Sequence, residues 1–63
     1  MLSNREKIYE GHQYITTKET RLRKVGDKVV VNYRELSIVG FTMENGKFAE
    51  TSTTLFRENS RML

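Results

Sequence analysis

"KVVVNYRELSIVGFTMENGKFAE", residues 28–50, decides how this chain folds. Its opening alternates: Val29, Val31 and Tyr33 fall on one face of a strand, and Lys28, Val30, Asn32 and Arg34 on the other. The first face suits a core. The second carries two cations and an amide around one valine, and suits water. Further on, Asn45-Gly46 is the preferred pair for a two-residue type I′ turn. That turn sets a register, with Glu44 opposite Lys47, Met43 opposite Phe48, Thr42 opposite Ala49 and Phe41 opposite Glu50. The first pair is charge-complementary and the second apolar, and such pairs contribute about 0.2–1 kcal/mol each. Phe41, Met43 and Phe48 then share a face near the turn, whereas Leu36 and Ile38 lie on the opposite face with Leu55. Gly40 sits at the changeover, where a glycine predicts a bulge or sharp bend. Bent strands of that kind let a small sheet fold over on itself.

Working outward toward the N-terminus, Gly26-Asp27 reads as a turn before the valine strand. Tyr14, Ile15, Thr16 and Thr17 favour an extended strand, whereas Lys18 to Lys24 suit one or two turns of helix. Whether 13–24 is strand or helix stays open. "SNRE" at 3–6 has capping-box form and predicts a short helical turn over 4–10, ended by Gly11 in a left-handed cap; an extended arm over 1–11 is the alternative. Toward the C-terminus, the hydroxyl run Thr51 to Thr54 reads as a half-exposed edge of the last strand. Residues 57–63 read as a loosely held polar tail.

The expected fold is therefore mostly β, one domain over 1–63. It is a small bent antiparallel sheet or SH3-like barrel of four to five strands, with the short N-terminal turn. The expected core is Val29, Val31, Tyr33, Ile38, Phe41, Met43, Phe48 and Leu55, joined by Ile8, Ile15 and Leu22.

Size and composition narrow the function. A 63-residue chain without cysteine has no disulfide to staple it, and small unstapled domains often gain stability from a second copy or a partner. A homo-oligomer is one expectation. With no cysteine and one histidine, no metal site and no cofactor is expected. No apolar run approaches the ~20 residues of a membrane span, and "MLSNREKIYEG" has no apolar stretch of a secretory signal; a cytoplasmic protein is the default. Catalysis is not expected either. His12 sits between Gly11 and Gln13 with no cysteine partner, the serines have no base beside them, and "GDK" lacks the spacing of a phosphate-binding loop.

Charge is the most specific signal. Residues 1–34 hold eight basic and four acidic side chains, and residues 35–63 hold three and four, so the net +3 divides as +4 and −1. The excess concentrates in segment 21–34, where Arg21, Arg23, Lys24, Lys28 and Arg34 face only Asp27. Such a patch is the footprint expected of a polyanion binder. It equally suits an edge strand kept soluble by cations. The nucleic-acid reading assigns these five side chains to phosphates and Asn32 to a hydrogen bond, with Tyr14 or Tyr33 to stack on bases. Tyr33, placed on the core face, shares no surface with Lys28 and Arg34 in this register. DNA and RNA are not distinguished.

"KVGDKVVVNYRE" resembles the opening of the first long strand in SH3-like barrels of the Tudor and KOW type. The resemblance covers about a dozen residues and implies a fold rather than a ligand, since such barrels bind RNA, DNA and peptides. "YITTKETRLRKVGDKVVV" is also similar to the AbrB/MazE-like swapped hairpin, which would imply a dimer binding DNA through Arg21, Arg23 and Lys24; the proline after the first strand is missing and the connection is shorter. A different class remains alongside. A small non-catalytic adaptor or inhibitor, of the kind phages and mobile elements encode, would bind a protein through a strand edge or an apolar patch around Val30.

Overall fold

The structure, a computed structural model, describes residues 7–63. They form five strands and one helix: β1 (Gln13–Thr16), β2 (Lys28–Arg34), β3 (Ile38–Met43), β4 (Phe48–Ser52), α1 (Thr53–Asn59) and β5 (Ser60–Met62). The strands make one open antiparallel sheet in the order β4-β3-β2-β1-β5. This is the mostly β architecture expected, consistent with a small bent sheet or SH3-like fold. β1 to β4 run as a meander. Helix α1 then carries the chain from the β4 edge to the far edge, where β5 pairs with β1, all within one chain.

Among the described residues, one face of the sheet is covered and the other is open. Ile8, Tyr14, Val29, Val31, Val39, Phe41 and Phe56 are buried together, with Met43, Ala49 and Met62 packed against them. Phe56 of α1 closes this core, its ring 5.3 Å from Tyr14 at 72° and 5.9 Å from Phe41. The Tyr14 hydroxyl accepts from the Tyr9 amide at 2.9 Å, so its burial leaves no polar group stranded. Each such apolar side chain contributes about 1.5–3 kcal/mol through burial.

Two local irregularities decide which side chains face which way. The β3–β4 turn has three residues between its closing pair, not two. Met43 N donates to Lys47 O at 2.8 Å and Gly46 N to Met43 O at 2.9 Å, and only Gly46, at φ 86°, is left-handed. A type I turn followed by a left-handed glycine is the usual three-residue hairpin. The register becomes Thr42 opposite Phe48 and Phe41 opposite Ala49, one residue from the expected one. A one-residue slip turns every side chain of β4 over. Phe48, expected in the core, stands 56% exposed on the open face.

The second irregularity is a bulge in β2. Val31 pairs with Phe41 but Tyr33 with Gly40, leaving Asn32 as the extra residue. Past it the alternation inverts, so Tyr33 lies on the open face and Arg34, opposite Val39, on the covered one. The bulge sits in β2, not at Gly40, and β3 alternates without a changeover. Val39, Phe41 and Met43 face in; Ile38 and Thr42 face out. Leu36 is 90% exposed in the 35–37 connection; of the expected core, Ile38, Leu55 and Leu22 are exposed and Ile15 is half-buried on the open face.

The C-terminal segment differs most. Thr51 and Ser52 end β4, and Ser52 caps α1 by accepting from Leu55 N at 3.1 Å. The segment expected as a polar tail, 57–63, instead completes the helix and adds β5, with Asn59 and Ser60 buried. Segment 17–27 is a loop without helix. Of the expected N-terminal turn, Ser3 to Glu6 lie outside the described residues; Lys7 to Glu10 are not helical, and Gly11 takes the left-handed conformation at φ 80°.

Candidate nucleic-acid interface

The five cations of segment 21–34 and Asn32 separate into three groups by exposure. Arg21 and Lys24 are exposed on the 17–27 loop, and Lys28 and Asn32 are exposed on β2. Arg34 is half-buried on the covered side, its Nε enclosed and without a hydrogen-bond partner among the described residues. Arg23 lies inside, 2% exposed. The segment's local folding explains the division. Lys24 and Asp27 close a turn on each other: the Asp27 carboxylate accepts from Lys24 N at 2.8 Å, and Asp27 N donates to Lys24 O at 3.0 Å. Gly26, at φ 94°, makes the turn possible. The preceding residues fold inward, where Thr20 Oγ1 accepts from Arg23 N at 3.1 Å.

Arg23 is thus a core residue. Its guanidinium lies 5.2 Å from the centre of the Phe41 ring and 5.0 Å from that of Phe56. Its Nη1 donates to Ser60 Oγ at 2.6 Å and Thr16 Oγ1 at 3.2 Å. Ring faces and hydroxyls replace the water that the cation has lost. Burial pushes its pKa below the ordinary arginine value and Asp27 pulls the other way; an arginine remains charged regardless. It is withdrawn from the phosphate-contacting set because no phosphate reaches it.

Arg61, which charge counting did not select, takes its place on the surface. Lys28 stands opposite Ile15, and Ile15 opposite Arg61, so two cations flank one apolar residue across three adjacent strands of the open face. Only the β5 pairing reveals this, because Arg61 sits in a segment without strand signal. The adjoining row runs Phe48, Thr42, Val30 and Gln13, again one residue per strand. Tyr33 lies beyond it, its ring centroid 6.1 Å from that of Phe48. Asn32 Oδ1 accepts from the Thr42 hydroxyl at 2.7 Å, tying the bulge to β3.

Acidic groups mark where this basic surface ends. Glu50 stands opposite Gly40 on the β4 edge. Near the hairpin turn, Asp27, Lys28, Met43, Glu44 and Asn45 line a shallow depression of about 160 Å³, where Glu44 accepts from Lys28 N at 3.3 Å. Two carboxylates to one cation make that depression unsuited to an anion. Among the described residues no three His, Cys, Asp or Glu side chains group so as to hold a metal ion, and no helix is long and apolar enough to cross a membrane.

What fold and surface define is a class: a small antiparallel sheet with one face sealed by a helix and the other open, aromatic toward β3–β4 and basic toward β1–β5. Comparison with protein-family models finds none that matches the chain, and comparisons with curated proteins and with solved structures find no match either.

Proposed function

We propose that the chain is a non-catalytic module that holds nucleic acid by its phosphates, through Lys28 and Arg61 on the open face and Arg21 and Lys24 on the neighbouring loop. The observation that carries this reading is the row Lys28–Ile15–Arg61. Residues 33 positions apart in sequence meet as two cations on one side of one sheet. Asn32 adds a polar contact on the same face. Arg23, enclosed in the core, and Arg34, turned to the covered side, are left out of that set.

Phosphate contacts release counterions, so binding should weaken steeply with salt, log K falling with a slope of about −0.9 per phosphate on duplex DNA and about −0.7 on single strands. Lys28→Ala should weaken binding whatever the base sequence and lower the slope by about one contact. Anisotropy titrations at several salt concentrations test both. Binding insensitive to salt, or none at low salt, refutes the reading. A protein partner is the second reading, favoured by Val30, Ile38 and Phe48 exposed together on the open face. Such a complex would tolerate Lys28→Ala and lose affinity on removal of an apolar anchor.

A further inference from the structure

We propose that the open face is a base-stacking platform, so that the strand it takes is single. The inference rests on the nucleic-acid reading above and names its substrate class.

Two aromatic rings stand on the open face, Phe48 exposed and Tyr33 half-buried. The bulge at Asn32 turns Tyr33 out of the core, and the three-residue turn does the same for Phe48. Gly40 then holds Tyr33 in place. A Cβ at Gly40 would clash with the Tyr33 ring, so the ring lies against the glycine backbone. Phe48 stands beside it at a tilt of 33°. The pair is pre-organised, and fewer rotamers are lost when a base settles on it.

The surroundings fit nucleotides rather than an apolar surface alone. Thr42 engages the carbonyl of the Asn32 amide, which leaves its NH₂ as a donor toward a base edge. Lys28 and Arg61, one row from Phe48 and two from Tyr33 and lying toward the β5 edge, supply the charge that a phosphate chain requires. A base in a duplex is already stacked on both sides and cannot reach the rings, so duplex DNA would meet only the cations. Unpaired bases can lie on the aromatics, an arrangement tolerant of sequence because every base has a π face.

The test is an anisotropy titration at low salt with labelled oligothymidylate and with a blunt-ended two-strand duplex of equal phosphate number. The protein is the full chain, as wild type, Phe48→Leu and Lys28→Glu. Leucine keeps an apolar side chain at an exposed position and removes the π face. The platform predicts that wild type binds the single strand at least ~10-fold tighter than the duplex. Phe48→Leu should weaken single-strand binding by ~5- to 100-fold and leave the duplex unchanged, in keeping with stacking measured by substitution elsewhere. Lys28→Glu should weaken both. Gly40→Ala, which displaces the Tyr33 ring, should repeat the Phe48→Leu pattern. Equal affinity for the two ligands, with Phe48→Leu and Gly40→Ala without effect, overturns the platform and leaves the phosphate reading standing. Failure to bind either ligand at low salt overturns both.

Discussion

Arg23→Ala is expected to lower the melting temperature by at least ~12 °C and to leave the domain partly unfolded at room temperature. The substitution empties a space between two aromatic rings and deprives the buried Thr16 and Ser60 hydroxyls of their donor. Each stranded hydroxyl costs about 1–3 kcal/mol, and the cavity adds to that, so a loss of about 3–5 kcal/mol follows. A domain of 63 residues has only about 3–9 kcal/mol in total at typical values per residue. At this size each kcal/mol moves the midpoint by about 4–8 °C. Arg23→Met should be milder than Arg23→Ala, because it strands the same two hydroxyls but opens no cavity: a flexible thioether still packs on the rings. Thermal melts followed by circular dichroism measure both. An Arg23→Ala variant that melts like wild type but loses nucleic acid would return Arg23 to the binding surface.

Removal of residues 57–63 should be at least as damaging. The segment completes α1 and supplies β5, which forms three pairs with β1. It contains Asn59, whose Nδ2 donates to Leu55 O at 2.8 Å and whose backbone carbonyl accepts from Thr17 N, also at 2.8 Å. It also contains Ser60, the nearer acceptor for Arg23. The truncated chain would leave the outer edge of β1 unpaired and the Arg23 cation half-partnered. The predicted outcome is a chain with little cooperative unfolding and amide protons that exchange at nearly unprotected rates. A truncated chain that keeps wild-type protection in β2 and β3 would show that the tail is dispensable.

The central hairpin was legible because its signals are local. Alternation in Lys28 to Tyr33 and an Asn-Gly pair with apolar flanks place β2, β3 and β4 without help from the rest of the chain. Facing was harder. A two-residue and a three-residue turn both want glycine at position 46, and choosing between them decides whether Phe48 is core or surface. The bulge at Asn32 has no residue signature of its own. Its trace was Gly40, read as the bend itself when it is the place where the displaced Tyr33 ring rests. The C-terminal helix was hidden because threonines favour strands, and α1 has no acidic residue in its first turn. Once the helix is missed, β5, the Arg61 cation and the aromatic lid over Arg23 are missed with it. Nothing local distinguishes the buried Arg23 from the exposed Arg21 two residues before it; that difference arises from Phe41, Phe56 and Ser60, all brought in by the fold.

The most direct test of the account is a map of backbone amide shifts as unlabelled oligothymidylate is added to the isotope-labelled protein. Perturbations are predicted on the open face and its basic margin, at Lys28, Val30, Asn32, Tyr33, Phe48 and Arg61 and along Arg21 to Lys24. The amides of α1 and of the buried Val39 should stay still. Shifts concentrated on α1, or no shifts at saturating ligand and low salt, would contradict it.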